Sequence, residues 1–155
     1  MSKKSTPMED GLGALLKPDR DRIDAAIRDD FADSLDLDAG LREGREGEHR
    51  WDYLVGHVPS AALIGIEPHS ATTGEVRTVI EKRRQALVQL REHLVDGASI
   101  ARWLWVASGD VDFVPLEKAV LRLNQNGITF VGRKLLAKDL PAPQKRSASK
   151  KGQAK

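Results

Sequence analysis

The feature that most constrains this chain is a pair of apolar, β-branched and aromatic runs separated only by Pro59-Ser60. Arg50 to Val58 contains Trp51, Tyr53, Leu54, Val55 and Val58, and Ala61 to Glu67 returns with Leu63, Ile64 and Ile66. Such runs on either side of a two-residue turn predict an antiparallel hairpin. A loop centred on Pro59-Ser60 pairs Val58 with Ala61 and Gly56 with Leu63. Continued outward, the register sets Asp52 opposite Glu67 and Arg50 opposite His69. Opposed residues share a face, with Cβ atoms roughly 4.5–5.5 Å apart, and period-two alternation adds His69 to the face of Glu67.

Two neighbouring carboxylates repel unless something positive lies between them. A divalent cation is one solution, since oxygen ligands suit magnesium or manganese. A lysine or arginine is the other. Asp52 and Glu67 are therefore candidate metal ligands, and the local cations are their alternative partners.

The rest of the chain supplies helices to cover this hairpin. Asp19 and Asp21 suit a helix N-terminus, and Ile23, Ala26, Ile27, Phe31 and Ser34 follow helical spacing, so a helix is expected from Pro18 to about Leu35. Residues 36–49 are charged and glycine-rich and read as a solvated loop. A second helix is expected over 74–95, capped by Thr72 or Thr73, with Val76, Val79, Ile80, Arg83, Leu87, Leu90 and Leu94 as its buried stripe and Lys82 on the flank. Ile100 to Ala107 is nearly continuous apolar sequence, as in a strand covered on both faces, with Trp103 and Trp105 on one face and Leu104 on the other. Pro115 opens a short helix with Leu116, Ala119, Val120 and Leu123 on one side and Gly127 at its C-cap. Ile128 to Val131 is the last strand.

The order α-β-β-α-β-α-β predicts a single α/β domain over 18–140, with a mixed sheet of about four strands flanked by helices. Residues 1–17 are expected to be a flexible lead-in and 141–155 a disordered basic tail. That tail carries five basic side chains and no acid, so the first 140 residues bear a net −3 although the whole chain is +2. The basicity belongs to the tail, which reads either as a solubilising terminus or as a weak grip on polyphosphate.

The 155 residues contain no cysteine. This removes thiol catalysis and cysteine-ligated metals and suits a reducing compartment. The N-terminus has no continuous apolar segment of signal-peptide type, and no apolar run is long enough to span a bilayer. A cytoplasmic protein without membrane attachment is expected. The phosphate-loop patterns GxGxxG and GxxxxGK[ST] are absent, as are HExxH and GxSxG.

Asp52 and, across fourteen intervening residues, Glu67-Pro68-His69 resemble the PD-(D/E)XK nuclease superfamily, in which an Asp on one hairpin strand and a Glu-x-Lys on the next bind magnesium and activate water for phosphodiester cleavage. The helix and the buried strand after the hairpin match that family's order, and the resemblance extends over roughly residues 20–133. It implies a restriction-endonuclease-like fold, magnesium or manganese at Asp52 and Glu67, and nucleic acid as partner. Three departures stand out. His69 replaces the lysine, residues 36–49 do not resemble the strand that usually precedes the Asp strand, and Pro68 cannot donate to a central ladder.

In some family members the lysine has moved to the following helix, which makes Lys82 and Arg83 candidates here. Arg83 in an apolar stripe needs a partner, and Asp52 with Glu67 would serve. It either stabilises phosphate or transition-state charge beside a metal or replaces the metal in an inert salt bridge. His69 either ligates a metal or relays a proton, or is a strand-end histidine bonded to backbone or solvent. Asp30, at the edge of the first helical stripe, is a further carboxylate that resembles the family's first-helix acid, with a solvated face as the alternative. Trp51, Trp103 and Trp105 offer either base-stacking surfaces or core. Gly132-Arg133-Lys134 offers either a phosphate contact or a solvated strand end.

Two functions from different classes follow. One is a small metal-dependent nuclease, with Asp52 and Glu67 as ligands and His69, Lys82 and Arg83 as its catalytic group. The other is a non-catalytic accessory, regulatory or immunity-type protein on the same fold, which the net −3 core and the missing lysine favour. A structural domain that assembles through exposed aromatics is a third.

Overall fold

The computed structural model describes residues 8–40, 50–90, 100–111 and 118–144. A six-stranded mixed sheet runs through them in chain order: β1 (Glu9–Asp10), β2 (Phe31–Asp36), β3 (Tyr53–His57), β4 (Ala62–Ala71), β5 (Ile100–Val111) and β6 (Ile128–Gly132). The first four strands form an antiparallel meander, and β4, β5 and β6 are parallel. The helices are α1 (Lys17–Arg20), α2 (Leu37–Gly40), α3 (Val76–Gln89) and α4 (Lys118–Gln125).

The parallel half follows from its connections, since parallel neighbours need a crossover and α3 and α4 are the crossovers. They cover one face of the sheet, where Trp51, Leu54, Val79, Ala86, Trp103, Trp105 and Leu123 form one core. The other face is covered by the N-terminal segment and by Leu135 and Leu140, which meet Tyr53, Ile64, Ile66, Leu104 and Val106 in a second. β5 lies between them, with Trp103, Trp105 and Ala107 in the first core and Leu104 and Val106 in the second. Its unbroken apolar sequence is what a strand buried on both sides requires.

The hairpin register agrees with expectation. Gly56 pairs with Leu63 and Tyr53 with Ile66. The ladder stops there, so Arg50 does not reach His69 and instead bonds Asp38 through Nε at 3.0 Å. The return strand is longer than expected and carries Pro68 and His69 alongside Val106 and Ala107 of β5. Pro68 thus lies beyond the last pair with β3, where β4 has a paired neighbour on one side only, which removes the objection to a proline in the ladder.

The helix expected over 18–35 is not formed. In its place stand α1, a 3₁₀ turn at Ala25–Asp30 opened by the Asp24 side chain, and β2. The stripe misled because Ile23, Ile27, Phe31 and Ser34 are all buried, although Ala26 is exposed. Three different elements bury them: Ile23 by a bridge to Leu135, Ile27 in the 3₁₀ turn, and Phe31 and Ser34 in β2, where a register shift between Phe31 and Asp33 puts residues three apart inside. A bulge breaks period two and imitates helical spacing. The correction supplies a strand before the Asp52 strand, and residues 36–40, read as loop, end β2 and form α2. Residues 41–49 lie outside the described set.

The lead-in is likewise not a free segment from residue 8 onward. Leu12 and Leu15 are buried in the second core, and β1 pairs with β2. At the other end, the Gln144 backbone N–H donates to Pro59 O at 2.8 Å. Residues 1–7 and 145–155, the latter holding all five tail cations, lie outside the described set, as do Leu94, Asp96-Gly97, Pro115 and Leu116. Among the described residues, no helix is long and apolar enough to cross a membrane.

Candidate functional site

Glu67 and Asp52 come together between the sheet and α3. Glu67 is on the α3 face of β4, and its side chain is 0% exposed. Asp52 immediately precedes β3, and its backbone N–H donates to Glu67 Oε1 at 3.0 Å. The hairpin register brings the two acids to one surface, as the sequence predicts.

The positive group between them is Lys82. Its ammonium donates to Glu67 Oε2 and lies 3.5 Å from Asp52 Oδ1. The reason lies in how α3 packs. Val76, Val79, Ala86 and Leu90 are its buried line, whereas Leu87, expected inside, is 44% exposed. The stripe is therefore rotated relative to expectation, with Lys82 on the flank toward Asp52 and Glu67 and Arg83 on the other. Arg83 does not join the site. Its guanidinium stacks over Trp103, 5.4 Å from the ring centroid, and fills the space beside Gly127. Its Nε is buried without a hydrogen-bond partner. Burial lowers its pKa.

His69 completes the cluster. Nδ1 is 3.1 Å from Glu67 Oε2, and Nε2 is 2.7 Å from Glu75 Oε1. The Trp105 indole N–H donates to His69 O at 3.0 Å and holds this strand end in place. Ionised carboxylates accept and do not donate, so two carboxylate partners call for a proton on each ring nitrogen. The hydrogen bond to Glu67 raises the His69 pKa, against burial and with help from Glu75. The reading of His69 as bonded to backbone or solvent misses these two carboxylates.

Three carboxylates then face one ammonium and one imidazolium. The excess negative charge shows at Asp52, whose pKa is pushed up to about 7, first by burial and then by the Glu67 charge, with Lys82 opposing. Burial works against the Lys82 ammonium, but Glu67 and Asp52 outweigh it and hold its pKa above the usual value.

No protein-family model, no curated protein and no solved structure matches this chain. Its chemistry is therefore read from these side chains alone.

Carboxylate oxygens are the donor type of a hard divalent cation, and here the Lys82 ammonium stands between the two that meet. Magnesium in phosphoryl-transfer sites is commonly held by one or two carboxylates, with water and substrate phosphate supplying the rest. Asp52 is 30% exposed, and among the described residues Glu67 Oε1 accepts only the Asp52 N–H. Among the described residues, no group of three or more histidine, aspartate or glutamate side chains is arranged to hold a metal ion.

Other candidates fall elsewhere. Asp30 stands by the buried His57 at the tip of the hairpin, where its backbone O accepts from Val58 N–H at 2.9 Å. All three tryptophans are core, at 0–4% exposure, which removes them as stacking platforms and as an assembly surface. Arg133 donates to Gly109 O at 3.0 Å and, with Lys134, is exposed. Glu75 is the residue that reading the sequence missed as part of the site. It falls at the start of the helix expected over 74–95, and its six-residue separation from His69 crosses a strand end and a 3₁₀ turn, a path no simple periodicity encodes.

Proposed function

We propose that this protein is a metal-dependent, nuclease-like hydrolase that acts on nucleic-acid phosphodiesters, with Asp52 and Glu67 as metal ligands and Lys82 as the cation of the reacting centre. The observation that carries this reading is the contact of one ammonium, Lys82 Nζ, with both acids of the hairpin. It supplies from α3 the lysine absent from the Glu67-Pro68-His69 triplet. The resemblance to PD-(D/E)XK nucleases gains a strand before the Asp52 strand and keeps the helix and buried strand behind it.

A bound magnesium or manganese would neutralise phosphate charge and lower the pKa of a water beside it. This chain's own residues do the positioning. Glu67 and Asp52 hold the Lys82 ammonium where charge builds on the phosphoryl oxygens. His69, fixed between Glu67 and Glu75, keeps a protonated imidazole at the rim.

A second reading, a non-catalytic interaction protein on the same fold, draws on a different observation. Glu67 is fully buried, and its two oxygens already meet Lys82, His69 and the Asp52 N–H. Such an ion network is also what a structural replacement for the metal looks like. Nicking of supercoiled plasmid in magnesium or manganese separates the two. The enzyme reading expects nicking that stops in chelator and is lost in Asp52→Asn and Glu67→Gln, with circular dichroism unchanged. Absence of nicking by wild-type protein in either metal refutes it and leaves the interaction protein.

A further inference from the structure

Because strand order equals chain order, charge carried by the first and last strands falls on opposite edges of the sheet. The gradient is steep. β1, β2 and α2 hold Glu9, Asp10, Asp33, Asp36 and Asp38 and no basic side chain, whereas α4, β6 and the two residues after β6 hold Lys118, Arg122, Arg133 and Lys134 and no acid. Lys118, Arg122, Arg133, Lys134 and Lys138 are all exposed, and none forms an ion pair among the described residues. Asp139, in the segment beyond that edge, accepts from the Leu136 N–H at 2.9 Å.

We infer that the β6 edge is the landing surface for the phosphate backbone of a nucleic acid, which reaches the Asp52–Glu67–Lys82 site from that side. This rests on the proposed reading for the identity of the anion. Lys118 and Arg122 lie on α4, which packs on β6 over the α3 face, Arg133 and Lys134 directly follow β6, and Lys138 lies further on, in the segment that crosses to the second core. Arg83 continues the positive surface inward. It reaches from the helix that carries Lys82 to Gly127 in the turn between α4 and β6, and it has no carboxylate partner among the described residues. On the opposite side of the site, Asp33, Asp36 and Asp38 of β2 and α2 repel the same ligand. Exposed cations that bind phosphate do so with release of counterions, so affinity falls steeply with salt. The net −3 of the first 140 residues hides this, because it averages two edges of opposite sign.

The test is fluorescence anisotropy with a labelled 30-base-pair DNA duplex, in chelator so that binding alone is read, across a salt series. Three full-length variants are compared with wild type: Lys118→Glu with Arg122→Glu, Arg133→Glu with Lys134→Glu, and a tail in which Lys145, Arg146, Lys150, Lys151 and Lys155 become glutamine. Each edge pair is expected to weaken binding roughly tenfold and to flatten the log–log salt slope by about 2, with melting temperature unchanged. Edge variants that bind like wild type, with affinity lost only in the tail variant, overturn the inference. So does light scattering in which wild type self-associates through complementary edges without binding DNA. If the edge variants behave as expected while no nicking is seen, the enzyme reading fails and the landing surface stands. If nicking is seen but the edge variants bind normally, the reverse holds.

Discussion

The Lys82 ammonium donates to the Glu67 carboxylate across the interface between α3 and β4, and the acid side of the pair is completely buried. Breaking such a pair from one side strands a charge in the interior, which costs about 3–5 kcal/mol. Lys82→Met should therefore destabilise the fold by about 3 kcal/mol in urea titrations, and adding Glu67→Gln should restore part of the loss. A Lys82→Met cost below about 0.5 kcal/mol, the range of an exposed pair, would contradict the burial of this contact.

Asp52 makes stability depend on pH with a definite sign. Its carboxyl titrates near 7 in the fold, mainly because it is buried and also because Glu67 is beside it, and near 3.8 when unfolded. Between those values the folded state binds the extra proton, so this group's contribution falls as pH rises from about 4 to about 7. Asp52→Asn removes the effect. The variant should match wild type near pH 4 and exceed it by about 2 kcal/mol at pH 8, less than the full linkage because the carboxyl keeps some solvent. Urea midpoints at the two pH values measure the difference, and a pH-independent gap would rule out the assignment.

The hairpin was legible because its connection is short, only residues 58–61, and both strands are apolar on the buried faces, so one register satisfies both. That was enough to bring Asp52 and Glu67 together. The helix phase was harder to read. Lys82 and Arg83 are adjacent, about 100° apart on the helix, and a choice of Leu87 over Ala86 as the buried residue is enough to exchange their roles. Ala86 is small and allows close approach to the sheet, which composition alone does not reveal. The N-terminal region was misread for a different reason: a bridge at Ile23, a 3₁₀ turn at Ile27 and a bulge in β2 together bury residues at helical spacing.

Gly65 is required by the packing of two tryptophans. A Cβ there would lie 2.9 Å from Trp103 Cε3 and 3.0 Å from Trp51 Nε1, and both rings are buried in edge-to-face contact at 5.0 Å between centroids. Overpacking of this kind costs about 1–3 kcal/mol. Gly65→Ala should lower the melting temperature and change the near-ultraviolet tryptophan dichroism. A variant with wild-type stability and spectrum would show that the rings are free to move apart.

Gly127 answers to two constraints at once, and they can be separated. Its φ of +77° lies in the left-handed region, where any Cβ costs roughly 1 kcal/mol. In addition, an added Cβ would be 2.8 Å from Arg83 Nη2 and 2.9 Å from its Cζ. Backbone strain is independent of Arg83, whereas the steric conflict vanishes when that side chain is shortened. Gly127→Ala should therefore cost more in wild type than in an Arg83→Ala background, with the remainder near the backbone value of about 1 kcal/mol, and the difference is the coupling energy of a double-mutant cycle. Equal costs in the two backgrounds would mean that Arg83 swings clear at no expense. In that case the turn between α4 and β6 does not hold its guanidinium against Trp103.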